Sequence, residues 1–184
     1  MPRTVRFLLP LLALSLAVPV LARDRGRERP FRAHLTGIEE VPPIANTGSA
    51  SLRLTLSDDG TTLSFQLDYE GLSGPPGAAH IHFGQRGVNG GVAVFFCGGG
   101  GKPACPAETS GSVTGTIVAA DVLGPAVQGI PAGDLATVLE LMRDGLTYAN
   151  MHTEAHAGGE IRGQIRGDGH GFFHSFGPLF GMSR

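Results

Sequence analysis

An excess of charge of either sign is missing from this sequence. Across 184 residues there are 14 Lys and Arg against 16 Asp and Glu, too even a balance for a chain whose partner is nucleic acid. The one basic run, Arg23, Arg25, Arg27, Arg29 and Arg32, is interleaved with Asp24 and Glu28, and residues 23–30 read as a solvated, charged linker. Long apolar runs are also missing. Phe7 to Leu21 covers about 15 residues and contains Pro10 and Pro19, short of the roughly 20 that a membrane-spanning helix needs. Cysteine is scarce: Cys97 and Cys105 are the only two, at a spacing that matches no zinc-finger pattern. There is no βα alternation, no nucleophile elbow, no pair of catalytic carboxylates and no cofactor-binding loop.

The short apolar run has its own meaning. Arg3 and Arg6 precede it, and Val20-Leu21-Ala22 ends it with residues a signal peptidase accepts, so residues 1–22 are expected to be a cleaved secretory signal. Cleavage after Ala22 leaves 162 residues with 12 basic and 16 acidic side chains, a net charge of −4, and the size of one domain. The mature protein is then expected in the periplasm or outside the cell, with no membrane span. In such an oxidising compartment Cys97 and Cys105 read as a disulfide closing a glycine-rich loop. The four glycines between them resemble a phosphate loop only in composition, since no helix with Lys-Ser/Thr follows.

Glycine is abundant, with 29 residues, all after Ala22. That is about 18% of the mature chain against a usual ~7%. No three-residue period accompanies it, which excludes collagen and points to many tight turns between short strands. Leu52, Leu54 and Leu56 alternate with polar residues, Asp58-Asp59-Gly60 interrupts, and Leu63, Phe65, Leu67 and Tyr69 resume the alternation, predicting an antiparallel hairpin. Further strands are expected over 78–84, 91–97, 110–118, 147–153 and 160–167, with 91–97 apolar throughout and so central. Between Gly133 and Gly145 the period lengthens: Leu135, Val138, Leu139 and Met142 form a helical stripe after Asp134, a candidate cap. The pattern predicts an all-β fold, an antiparallel β-sandwich or flattened Greek-key barrel with one short helix over 134–143. Residues 168–184, rich in Gly, His and Phe without periodicity, read as a flexible tail.

Chemistry concentrates in two segments. Alternate residues of a strand share a face, so His80 and His82 project side by side, roughly 6.5 Å apart. Tyr148, Asn150 and His152 repeat that phasing on another strand, and His156, Glu160 and Arg162 follow. Neutral imidazoles suit copper and zinc, and His80, His82 and His152 with His156 as fourth ligand form the candidate metal set. His34 is an outlying candidate, and His170 and His174 fall in the tail. The competing expectation, which the residue types favour, is a metal-free polar network of Tyr148, Asn150, Glu160 and Arg162 with His80, in which Glu160 and Arg162 pair. Ring nitrogens that face one point would decide for metal, and rings each bonded to a separate carbonyl or carboxylate would decide for the network.

Four segments also resemble a known family. Phe31-Arg32-Ala33-His34-Leu35-Thr36-Gly37 leads to Glu39-Glu40-Val41-Pro42-Pro43. Ala79-His80-Ile81-His82 precedes Gly84 and Asn89-Gly90, and Tyr148–Thr153 precedes Gly159–Gln164. Their order resembles the CHRD domain, first described in chordin and widespread as a single extracytoplasmic domain in bacteria. The resemblance covers residues 31–167 and implies a β-sandwich of ill-defined molecular function. His-x-His on a sandwich strand is also similar to the copper-ligand strand of copper/zinc superoxide dismutase, but the bridging histidine and zinc subsite are absent, which argues against dismutation. The expected role is a non-catalytic extracytoplasmic domain, structural or binding a protein or small ligand. A secreted copper- or zinc-binding protein is the alternative.

Overall fold

A computed structural model describes residues 30–167. The expected signal, all but the last residue of the expected linker and the expected tail lie outside the described residues. Among the described residues nine strands follow in chain order: β1 (Phe31–Thr36), β2 (Ser49–Leu56), β3 (Thr62–Glu70), β4 (Pro76–Phe83), β5 (Gly91–Cys97), β6 (Gly111–Val118), β7 (Thr147–Thr153), β8 (Ile161–Gln164) and β9 (Arg166–Gly167). One α-helix, α1 (Leu135–Arg143), lies between β6 and β7, after two short 3-10 turns. All strand pairs are antiparallel, in the order β5-β4-β7-β8-β1-β2-β3-β6, with β9 beside β1. The two ends of that order, β5 and β6, come together and bring the sheet close to a closed barrel.

Alternation sets the register. Leu52 faces Leu67, Leu54 faces Phe65 and Leu56 faces Leu63 across β2 and β3, while the intervening residues are mostly exposed. The turn between them is held by Asp59, whose Oδ1 accepts from the Ser57 hydroxyl, the Thr61 amide and the Thr61 hydroxyl. Gly60 there adopts a φ of 71°, a conformation that glycine takes without steric cost. The inward faces of the strands, with Leu35, Ile81, Ile117, Met151 and Ile161 fully buried, form one core. Removing apolar surface from water, worth about 25 cal/mol per Å², drives its formation.

Helix α1 starts where the sequence places it. The Asp134 carboxylate accepts from the Thr137 amide at 3.0 Å and the Thr137 hydroxyl at 2.7 Å, capping the first turn. Leu135, Val138, Leu139 and Met142 enter the core. The disulfide joins Cys97, the last residue of β5, to Cys105, with 5.0 Å between their Cα atoms.

Two expectations are corrected. Strand β5 is not central: it ends the sheet order and pairs only with β4. Its apolar character has another cause, because residues 119–133 cover its free edge. The Leu123 amide donates to the Ala93 carbonyl at 2.9 Å, and the Gly91 amide donates to Gln128 Oε1 at 2.6 Å. The expected strand 160–167 is interrupted into β8 and β9, with the amide of the intervening Ile165 donating to Thr147 instead.

Candidate metal centre

The pairing of β4 with β7 sets Ala78 opposite His152, His80 opposite Asn150 and His82 opposite Tyr148. His152 is therefore the diagonal neighbour of His80 on one face, close enough for long side chains to touch. The opposite edge of β4 is irregular: its register with β5 shifts between Ala79 and His80 and again between Ile81 and His82. Such irregularities sharpen local twist and re-aim side chains. The rings of His80 and His82 have centroids 4.5 Å apart, and those of His80 and His152 are also 4.5 Å apart.

One ligand nitrogen from each of His80, His82 and His152 lies within 4.8 Å of the other two. Three ring nitrogens here, His80 Nδ1, His82 Nε2 and His152 Nε2, are buried without a hydrogen-bond partner. Leaving a polar atom buried and unpaired costs about 1–3 kcal/mol, so three together are a conspicuous cost to the fold. The other nitrogens of two rings are engaged. His82 Nδ1 is 2.9 Å from the Gly90 carbonyl and His152 Nδ1 is 3.0 Å from the Ala157 carbonyl. As donors to those carbonyls, both rings take the tautomer that leaves Nε2 a bare lone pair. This is how metal-bound imidazoles are oriented from behind.

Burial keeps the two β4 imidazoles neutral. Desolvation, then the neighbouring His82 and His152, lowers His80 from 6.5 to about 3. His82 falls to about 4, also chiefly through burial, although the hydrogen bond to Gly90 works the other way and His152 and Arg162 add to the lowering. A neutral imidazole is the form that donates to a metal.

Behind His82 a stack continues. The Tyr148 ring lies parallel to it, 4.6 Å away with 5° between the planes, and the Arg162 guanidinium lies over the Tyr148 ring at 4.4 Å from its centroid. The Gly90 amide donates to the Tyr148 hydroxyl at 3.2 Å, so Gly90 holds both rings. Nothing larger fits there, because a Cβ on Gly90 would stand 1.7 Å from the Phe83 carbonyl oxygen.

The expected pairing of Glu160 with Arg162 is replaced by two separate arrangements. Arg162 Nε donates to Glu40 Oε2 at 3.0 Å, and its other nitrogens reach the Val88 carbonyl and Asn89. Asn150 donates to Glu40 Oε1 and to the Ile161 carbonyl. Glu160 faces the other way, accepting from the Thr153 hydroxyl, the Ser73 amide and hydroxyl, and Asn46. Burial alone would raise its carboxyl, but the hydrogen bonds from Thr153 and Ser73 outweigh that and hold it below its usual 4.5. Glu40, Gly90 and Ser73 were not among the sequence candidates. Glu40 had a signal, an acidic pair immediately before Val41-Pro42-Pro43 in a segment that carried the family resemblance.

His156, the expected fourth ligand, is not in the convergent group. The tight turn from Thr153 to Gly159, closed by the His156 amide to the Thr153 carbonyl and the Gly159 amide to the His156 carbonyl, brings it toward Glu160. His34 is exposed on the outer face of β1. His170 and His174 lie outside the described residues.

Comparison with curated proteins finds no match, and comparison with solved structures finds none either. The family model of the CHRD domain matches residues 31–165, nearly the whole of the described barrel and every residue of the histidine group and of the Glu40–Arg162 network. The chain belongs to the CHRD domain family.

Proposed function

We propose that this CHRD domain is an exported, non-catalytic metal-binding protein that holds one copper or zinc ion with His80, His82 and His152. The observation that carries this reading is the set of three buried, unpartnered ring nitrogens on imidazoles whose ligand atoms lie within 4.8 Å of one another. A metal-free network would satisfy those nitrogens with protein partners. The polar network that does exist, built on Glu40, Asn150 and Arg162, makes no hydrogen bond to any of the three. An ion drawn among them would satisfy all three lone pairs at once, with bonds near 2.0–2.1 Å once the rings close in around it. Export is supported by the basic–apolar–small order of residues 3–22.

The test is elemental analysis of the protein purified without a histidine tag, followed by copper and zinc titration of the stripped protein. One ion per chain is expected, lost when His80→Ala and His152→Ala are combined. Absence of bound metal, with no affinity tighter than about micromolar, or about 8 kcal/mol, would leave the three rings a structural cluster.

A further inference from the structure

The geometry points to a three-coordinate copper(I) ion as the occupant of the histidine group, an inference that rests on the metal-binding reading above. Three properties of the site select it, and each concerns a different feature of the ion.

The first is coordination number. His80 Nδ1, His82 Nε2 and His152 Nε2 are sealed from solvent, although His80 and His152 line a cleft of about 690 Å³ bordered by Pro75, Ala78, Phe95 and Glu154. The cleft borders the His80 and His152 rings, while these three nitrogens are closed to solvent. The Phe95 ring lies edge-on to His80, 4.9 Å between centroids, and Tyr148 covers one face of His82. With these three nitrogens as donors every ligand atom is closed to solvent, which disfavours water as a fourth ligand. Zinc in protein sites is almost always four-coordinate, completed by a protein ligand or by water. Copper(I), a closed-shell ion with no ligand-field preference, is stable with three nitrogen donors.

The second is charge. The donor group contains no carboxylate and no thiolate, and the chain's two cysteines are bonded to each other. The Arg162 guanidinium, over the Tyr148 ring that stacks on His82, is matched by Glu40, so the pair supplies no surplus negative charge to the ion. The cost of burying an ion rises with the square of its charge, so a dication costs about four times as much as a monocation in the same place. The third is softness: three neutral imidazoles without a hard oxygen donor suit copper better than the hard cations. The half-buried His152, whose ring borders the cleft, gives an entry path by rotating outward and back.

The test uses the whole mature protein. Copper(I) is titrated anaerobically in competition with a chromophoric copper(I) chelator, zinc with a chromophoric zinc indicator, and the copper form is measured by X-ray absorption. The expected result is one copper(I) per chain with three nitrogen scatterers, and zinc bound at least a thousandfold more weakly. A fourth light-atom ligand on copper(I), or zinc affinity within tenfold of copper, overturns the inference while leaving metal binding intact. Failure of both ions to bind removes the metal reading as well. Phe95→Ala gives an independent check, because it opens the side of His80. Zinc binding should tighten at least tenfold with copper(I) affinity unchanged, and an unaltered ratio of the two counts against a sealed site.

Discussion

At Arg162 the fold holds a guanidinium and a carboxylate that are both nearly inaccessible, 7% and 3% exposed. Deleting one partner of such a pair strands the other, at a cost of about 3–5 kcal/mol, whereas replacing both by well-packed apolar residues is often neutral. Arg162→Ala and Glu40→Ala should each lower the urea midpoint by a comparable amount, and the double variant should lose far less than the sum of the two. Strict additivity in that cycle would mean the two residues act separately. A second prediction concerns acid. His80 and His82 lie at about 3 and 4 in the folded protein, against 6.5 when unexposed to the fold. As pH falls through 6.5 the unfolded chain takes up protons that the folded chain refuses, so stability of the metal-free protein declines from there to about pH 4 and levels off below about 3. At about 1.4 kcal/mol per unit, each ring accounts for a few kcal/mol. Glu160 acts in a lower window, its contribution present above its ordinary 4.5 and lost as pH drops further. Urea unfolding near neutral pH and near pH 5 separates the two, because only the histidine effect operates there. Equal midpoints would contradict it, and a His80→Asn, His82→Asn variant should flatten the difference.

Among the elements, β5 depends on its bond to the loop that follows. Its free edge is covered by residues 119–133 and its last residue is tied to Cys105. Replacing both cysteines by alanine should cost about 2–3 kcal/mol, mainly by releasing the unfolded chain, and should raise hydrogen exchange in β5 more than in β2 or β3. Uniform exchange across the sheet would place the effect elsewhere. What could be read from the sequence depended on the range of the interaction. Strand β7 and helix α1 carry their own signals, a period of two and a capped helical stripe, and both were legible to within a residue. The covering of β5 was not, because an apolar run looks the same whether buried by neighbouring strands or by a loop. The histidine group was half legible. Alternation brings His80 beside His82, and the β4–β7 register adds His152, but the turn that carries His156 away is closed by bonds to backbone carbonyls, which no side-chain pattern in the sequence announces. The Glu40–Arg162 pair spans 122 positions, while Glu160 stands two residues from Arg162 with the same complementary charge. Local proximity pointed to the wrong carboxylate.

For the molecule as a whole, an ion bound only by the folded state adds to its stability by mass action. At a free concentration a hundredfold above Kd the gain is about 2.7 kcal/mol. Copper or zinc should therefore raise the melting temperature of the wild-type protein in proportion to the logarithm of free metal, and leave the His80→Ala, His152→Ala variant unmoved. An equal rise in that variant would assign the effect to other residues.

The side-by-side placement of Phe31 and Gly167, at the head of β1 and in β9, has a kinetic consequence. Strand β1 also takes its neighbour β8 from the far end of the described chain, so its seam cannot close until those last residues have been synthesised. Contacts between such remote positions carry a loop-closure cost before they return any stabilisation, and domains dominated by them fold in milliseconds to seconds. An incomplete chain would display the edge of β1, a row of unpaired amides and carbonyls able to recruit strands from other molecules. Time spent waiting for β8 is time exposed to aggregation.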